Sequence, residues 1–176
     1  KGGMSFHGGL LGVILGSYLF CIKNKVSFLR CMDIISCCAP IGIFFGRITN
    51  FINSELWGKN TSVPWGIVFP NGGNLPRHPS QLYEAFLEGI VLFIILNYFF
   101  KKKYFIQGYC ASLFLIFYGI FRIFIEFFRE PDSHIGYILG SFLTTGILLS
   151  LPMIILGLYI FIKANAKFRN TIKKNY

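Results

Sequence analysis

The chain has 176 residues and carries 17 lysine and arginine side chains against seven aspartate and glutamate side chains, a net charge of +10. Only 14% of its residues are charged and 54% are hydrophobic, whereas about 25% of the residues of a soluble domain are charged. This composition excludes intrinsic disorder and argues against a water-soluble globular protein. The basic residues lie in short clusters between long apolar runs instead of along one polar face, which argues against a nucleic-acid partner.

Five apolar runs are long enough, or nearly so, for membrane-spanning helices, which need about 20 residues. The second run is the shortest and contains Asp33 and Pro40. A polar stretch rich in glycine and proline, roughly 47–80, follows it and is expected to connect two spans at the outer face. The sequence therefore predicts an all-α transmembrane helical bundle that forms one domain over residues 1–176. The five runs are roughly 6–22, 31–46, 82–100, 108–126 and 137–162.

The charged side chains divide the predicted bundle into two unlike ends. Basic clusters fill the connection after the first run, the connection after the third run and the C-terminal tail. With five spans these three segments lie on the same side, which the positive-inside rule identifies as the cytoplasm. The chain is therefore expected to begin outside the cytoplasm and to end inside it. The basic residues concerned are Lys23, Lys25, Arg30, Lys101, Lys102, Lys103, Lys163, Lys167, Arg169, Lys173 and Lys174.

Nearly all of the unusual polar residues lie toward the opposite, outer end of the spans. Four separate segments contribute, and each places ionisable or amide side chains within or next to an apolar run. Ionisable groups within membrane spans are energetically unfavourable and usually functional, so this convergence predicts a functional site at the outer face. The candidate residues are His7; Arg47, Asn50, Asn53 and Glu55; Arg77, His78 and Gln81; and Arg122, Glu126, Arg129 and Asp132.

The spacing of Arg122, Glu126 and Arg129 is i, i+4, i+7, which predicts that they share one face of a helix. Pro131 is expected to terminate that helix. One interpretation is a structural ladder of ion pairs that fixes the helix to its neighbours. The other is a phosphate-binding site, because guanidinium groups bind phosphate through two hydrogen bonds and stay charged. Two arginines with one glutamate leave a net positive charge, which favours an anionic ligand.

The second run is followed by a segment in which Arg47 and Asn50 have a helical i, i+3 spacing that Asn53 continues. Amide side chains supply both hydrogen-bond donors and acceptors. These residues therefore either contribute to a binding site or cap the helix where it leaves the membrane.

The third run is expected to begin as a helix at Pro79 or Ser80, which places Gln81, Glu84 and Glu88 on one helical face. A carboxylate within a membrane span needs a positively charged or hydrogen-bonding partner. We interpret Glu84 as the ion-pair partner of an arginine from another span, with no chemistry of its own.

His7 lies between glycine pairs at the start of the first run. It is either a structural hydrogen-bond donor or a general base, since an ordinary histidine titrates near neutral pH. The five cysteines lie in apolar stretches without the spacing of a metal site, and we interpret them as small hydrophobic residues within helices. We expect no metal and no cofactor.

Four motifs, in this order along almost the whole chain, resemble those of the bacterial prolipoprotein diacylglyceryl transferases. Thr49 departs from that family's pattern, which usually has glycine at this position. The resemblance implies a bacterial inner-membrane protein of seven helices, so that two spans upstream of this chain are expected to be missing. The motifs are GGMSFHGGLLG at 2–12, GRITNFINSELWG at 46–58, RHPSQLYEA at 77–85 and RIFIEFFREPD at 122–132.

The resemblance also implies a reaction and its site. Family members transfer the sn-1,2-diacylglyceryl group of phosphatidylglycerol to the thiol of the lipobox cysteine of a preprolipoprotein and release glycerol 1-phosphate. Matched to the motifs, Arg47, Arg122 and His7 are the expected catalytic residues, at the periplasmic face of the lipid bilayer. The phosphatidylglycerol headgroup is expected to bind to Arg47, Asn50, Glu55, Gly58, Arg122, Glu126 and Arg129.

Three other functions remain open on the sequence. A non-catalytic membrane subunit would bind the same anionic lipid without reaction. A transporter would need a polar path to the cytoplasmic face, but polar residues become rare below the outer third of the spans, apart from Asp33. An acyltransferase acting on the same headgroup would form an ester or an amide instead of a thioether.

Overall fold

The structure is a computed structural model that describes residues 6–130 and 144–174, with side chains for residues 8–130 and 144–170. The described residues form five helices and isolated β-bridges. The third helix is irregular, because a π-helical segment at Ala85–Val91 separates its two α-helical parts. The helices are α1, Phe6–Asn24; α2, Phe28–Ile52; α3, Ser80–Lys103; α4, Tyr109–Glu126; and α5, Thr145–Lys174.

Four of the helices, α2 to α5, are long and apolar enough to cross a membrane, which agrees with the predicted helical spans, and the described residues are helical with no strand longer than an isolated bridge. The described apolar part of α1, Gly8–Asn24, is shorter. The second run was predicted too short, because α2 has 25 residues and continues through Pro40. Residues 137–143 of the predicted fifth run lie outside the described residues.

The core of the bundle lies between α2, α3 and α4. Helix α4 packs along α5 and also contacts α2 and α3. Two of the five cysteines, Cys37 and Cys110, are buried in this core, which agrees with their interpretation as small hydrophobic residues. The core residues are Cys37, Leu92, Leu96, Ile106, Tyr109, Cys110 and Leu113.

Asp33, which is unusual in a membrane span, fixes α2 to the start of α4. Its carboxylate accepts hydrogen bonds from the backbone N–H groups of Gly108 at 2.7 Å and Ala111 at 2.9 Å. The first N–H groups of a helix have no partner within that helix, and the helix dipole favours a negative charge there. Arg30 lies 3.7 Å from the same carboxylate. Asp33 therefore has a structural role in this position.

The predicted basic segments meet at this same end of the bundle, which we call the basic end. Ser27 Oγ donates to Gln107 Oε1 at 2.8 Å and so joins the α1–α2 connection to the α3–α4 connection. Phe168 of α5 stacks on Phe105, with ring centroids 4.8 Å apart. The structure thus agrees with the prediction that these segments share one side.

The α2–α3 connection, residues 53–79, lies at the opposite end. Within it, Trp57 stacks on the buried ring of Phe69, with centroids 6.0 Å apart. Since α2 continues to Ile52, the first residues of the stretch predicted as a connection are helical. Arg47 is among them, so a helix determines the position of its side chain.

Candidate functional site

Three arginines converge on one buried carboxylate, that of Glu84 on α3. Arg47 of α2 contacts it through Nε at 2.5 Å, and Arg122 of α4 through Nη1 at 3.3 Å. Arg129, which follows α4, contacts it through Nη1 at 3.3 Å. The predicted pairing of Glu84 with an arginine from another span is therefore confirmed, with two further arginines added.

Two more carboxylates complete the site, which we call the arginine cluster. Glu126 lies one helical turn from Arg122 and contacts its Nη2 at 3.1 Å. Glu88 lies one turn beyond Glu84 and is 3.9 Å from Arg47 Nη2. The cluster consists of Arg47, Arg122, Arg129, Glu84, Glu88 and Glu126.

The cluster contains as many carboxyl groups as arginines. Along α4 and the residues just after it, two arginines accompany one glutamate, but Glu84 and Glu88 from α3 add two carboxyl groups. Within the described residues the cluster therefore has three arginines and three glutamates. Opposite charges in contact are what permits so many ionisable groups at this depth.

The arginines lie nearer the surface than the carboxylates that hold them. The Arg47 and Arg122 side chains are 19% and 14% exposed, whereas Glu84 is 1% exposed and Glu88 is fully buried. A ligand that approaches from outside therefore meets guanidinium groups first. Each guanidinium has five N–H donors, and the contacts described for Arg47 and Arg122 engage only some of them. The arrangement is suited to an anion.

The predicted ladder of Arg122, Glu126 and Arg129 exists only in part. Helix α4 ends at Glu126, so Arg122 and Glu126 form their ion pair within the helix, whereas Arg129 lies beyond its end. The backbone of Arg129 instead forms a β-bridge with Gly58 of the α2–α3 connection. Arg129 thus joins the cluster through Glu84, and Pro131 lies outside the described residues.

Gly58 is buried at a point where two backbone segments touch. A Cβ added there would lie 2.5 Å from the carbonyl oxygen of Phe128 and 2.7 Å from that of His78. The Gly58 N–H donates to the His78 carbonyl at 2.9 Å. Only glycine permits this approach, which places Gly58 as a support for the neighbouring Arg129.

Two predicted site residues near the end of α2, Asn50 and Glu55, differ in their exposure and in their hydrogen bonds. Glu55 is exposed, and its Oε1 accepts a hydrogen bond from Asn53 Nδ2 at 2.9 Å. Asn50 is half-buried, and its carbonyl accepts from the Glu55 N–H at 3.0 Å. Neither side chain has a described contact with the arginines. The Thr49 hydroxyl donates to the Phe45 carbonyl of its own helix at 2.9 Å, so α2 continues without a break there.

The predicted polar face of α3 is confirmed, since Gln81, Glu84 and Glu88 are all buried. Gln81 Nε2 donates to the Glu55 carbonyl at 2.6 Å and ties α3 to the α2–α3 connection. Glu88 belongs to the π-helical segment, a feature that often marks functional sites. The sequence indicated this polar face, but it did not indicate that Glu84 contacts all three arginines.

Other predicted residues have structural contacts or lie outside the description. The Arg77 side chain donates to the Gly58 carbonyl and to Glu130 Oε2, each at 3.2 Å. His78 Nδ1 lies 3.2 Å from the Tyr83 hydroxyl. The side chain of His7 and the whole of Asp132 lie outside the described residues, so their roles remain predictions.

Comparison with known proteins identifies the family of this chain. The family model for prolipoprotein diacylglyceryl transferase matches residues 1–163. The phosphatidylglycerol–prolipoprotein diacylglyceryl transferase of Rickettsia akari is 58% identical over 169 residues, covering 95% of this chain and 65% of the relative. The enzyme of the same name from Ehrlichia canis is 57% identical over 166 residues, covering 93% of this chain and 63% of the relative. The chain thus spans slightly less than two thirds of the length of these curated relatives.

Proposed function

The chain belongs to the prolipoprotein diacylglyceryl transferase family, and from this premise we propose that it transfers the sn-1,2-diacylglyceryl group of phosphatidylglycerol to a cysteine thiol. The acceptor is the lipobox cysteine of a preprolipoprotein. The products are a thioether and glycerol 1-phosphate. This reaction is the first step of bacterial lipoprotein maturation.

The observation that carries the proposal is the convergence of Arg47 and Arg122, from two helices, on one buried carboxylate. Both guanidinium groups are partly exposed while Glu84 beneath them is not. The phosphodiester of phosphatidylglycerol is a suitable ligand, since arginine binds phosphate oxygens through paired N–H donors. Glu84 and Glu126 would hold the two arginines in place while the headgroup binds.

The reaction requires stabilisation of a leaving phosphate. The cysteine sulfur attacks the glyceryl carbon that carries the phosphate, the carbon–oxygen bond breaks, and its electron pair passes to the phosphate oxygen. Arg47 and Arg122 would stabilise the charge that grows on that oxygen. Donors held in place before the reaction contribute most, and loss of one typically raises the barrier by ~3–4 kcal/mol.

The sulfur must also lose its proton. A free thiol has a pKa of about 8.5 and is mostly protonated at neutral pH. We propose His7 as the base that accepts this proton, with the field of the arginines favouring the thiolate. Glu126 would orient Arg122 instead of abstracting a proton, because it is in contact with that guanidinium.

The remaining predicted residues would contribute to the headgroup site in different ways. Arg129 would bind phosphate directly, and Gly58 would act by holding the backbone of Arg129 in place. Asn50 lies in the last turn of α2 and Glu55 follows that helix, and their amide and carboxylate oxygens would accept hydrogen bonds from the headgroup's glycerol hydroxyls.

We propose that the arginine cluster faces the periplasm and that the C-terminus lies in the cytoplasm. The basic end supports this orientation through the positive-inside rule. Reporter fusions at the α1–α2 connection and at the C-terminus should report the cytoplasm for both. A fusion within residues 60–75 should report the periplasm.

Mass analysis of a lipobox peptide, after incubation with the protein and phosphatidylglycerol, tests the reaction. The expected result is a peptide heavier by one diacylglyceryl group, together with free glycerol 1-phosphate. Mild alkali should remove the two ester-linked acyl chains and leave the glyceryl group on the peptide through its thioether. A product that carries an acyl group and no glyceryl group would indicate an acyltransferase. Bound phosphatidylglycerol without glycerol 1-phosphate release would indicate a non-catalytic lipid-binding subunit.

A further inference from the structure

A groove of about 620 Å³ opens at the basic end, at the other end of α4 from the arginine cluster. Its walls come from the start of α2, the α3–α4 connection and residues 159–168 of α5. The volume is within the range of about 300–1,000 Å³ that is usual for sites of small organic ligands. Among the lining residues are Leu29, Phe105, Ile106, Ile160, Lys163 and Lys167.

The groove lies where α5 changes from apolar to basic. Residues 145–162 contain no charged side chain, whereas residues 163–169 contain three basic ones. Tyr159 precedes this boundary by one turn, and Lys163 Nζ lies 4.9 Å from the centre of its ring. Tyrosine and lysine are typical of the level where hydrocarbon meets lipid headgroups. The groove therefore has an apolar wall on the hydrocarbon side and ammonium groups on the headgroup side.

The charge around the groove has one sign. At this end the described part of the chain has one acidic side chain, Asp33, which is buried and engaged by two backbone N–H groups and Arg30. Lys163 and Lys167 are spaced i, i+4 and line the same groove. Further basic residues at this end are Lys23, Lys25, Lys101, Lys102, Lys103 and Arg169.

We propose that this groove binds an anionic phospholipid. One acyl chain lies along the apolar wall formed by Leu29, Ile106 and Ile160, and the phosphate lies at Lys163 and Lys167. The order of polarity along the groove matches that of a lipid, and its positive charge favours an anionic headgroup over a zwitterionic one. This site is separate from the arginine cluster and does not depend on the proposed transferase activity.

Native mass spectrometry of the protein with equal amounts of dioleoyl phosphatidylglycerol and dioleoyl phosphatidylcholine tests the proposal. The Arg122→Ala variant serves as the background, because it weakens any lipid binding at the arginine cluster. In that background we expect phosphatidylglycerol to be retained in preference to phosphatidylcholine. Adding Lys163→Glu and Lys167→Glu should reduce the retained phosphatidylglycerol about 30-fold.

Two matched controls separate this site from general charge and from misfolding. Lys101→Glu with Lys103→Glu makes the same charge change at the same end, outside the groove lining, and should reduce retention far less. Ile160→Trp fills the groove and should abolish retention, whereas Ile155→Trp, on an exposed part of the same helix, should not. Circular dichroism verifies that each variant is helical.

Three results would overturn the proposal. Equal retention of the two lipids would exclude recognition of the anionic headgroup. An equal loss of retained phosphatidylglycerol in the two double-lysine variants would mean that the lipid responds only to the overall positive charge of the basic end, and not to the groove. A dimer mass that disappears in Ile160→Trp would show that a second copy of the chain, and not a lipid, occupies the groove.

Discussion

Replacement of Glu84 by glutamine tests whether one buried carboxylate holds the three arginines in place. Glu84 contacts Arg47, Arg122 and Arg129 at 2.5 to 3.3 Å and is 1% exposed. Glutamine keeps the shape but removes the charge, so three guanidinium groups are left with two carboxylates. Removal of one partner of a buried ion pair costs about 3–5 kcal/mol. We expect a loss of this size in the free energy of unfolding, and loss of transfer because Arg47 and Arg122 no longer share a partner.

Glu130→Gln is the matched control. The Glu130 carboxylate contacts Arg77 at 3.2 Å, and its side chain is 49% exposed, so its loss should cost only about 0–1 kcal/mol. Both variants are unfolded with a denaturing detergent and followed by circular dichroism, with and without phosphatidylglycerol. The lipid should restore part of the stability of Glu84→Gln, because its phosphate supplies the missing negative charge. An equal loss in the two variants would refute the idea that Glu84 anchors the cluster.

Three further variants test separate parts of the site. Arg122→Ala should slow transfer by about 10²–10³, as expected for loss of one donor to the leaving group, while Phe127→Ala, at an exposed position, should remain active; near-normal turnover of Arg122→Ala would exclude Arg122 from catalysis. Gly58→Ala places a methyl group 2.5 Å from a carbonyl oxygen and should lower the melting temperature and transfer, whereas Gly46→Ala, with nothing within 4 Å, should not; equal melting temperatures would contradict the proposed packing. A pH–rate profile of His7→Asn should be flat and near zero if His7 is the obligatory base, and should rise with pH if the arginine field suffices, while full activity at every pH would remove His7 from the mechanism.

The apolar runs predicted the existence and order of the helices, but hydropathy placed the end of α2 too early. Arg47 follows the last apolar residues of the predicted second run, and a charged residue there indicates an exit from the membrane. The helix nevertheless continues to Ile52, and the Arg47 side chain contacts Glu84 of α3. Hydropathy along one segment contains no information about a partner supplied by another helix.

Helical spacing failed for Arg129 for a related reason. Extrapolation of α4 through position 129 assumed that Pro131 determined its end. The helix ends earlier, at Glu126, where the backbone of Phe128 and Arg129 engages Gly58 and Lys59 instead. That contact joins segments about 70 residues apart in the chain, so local spacing gave no sign of it.

The carboxyl groups of the arginine cluster bear on how the proposed site would select its ligand. A phosphodiester bound there would not meet three unaccompanied arginines, since three glutamates lie among them. It would compete with Glu84 for N–H donors, and the competition would favour a ligand whose oxygens fit two guanidinium groups held at fixed positions. Geometry more than net charge would then discriminate between anions. This is why the carboxylates beneath the arginines, although they repel the ligand, are as necessary to the proposed site as the arginines themselves.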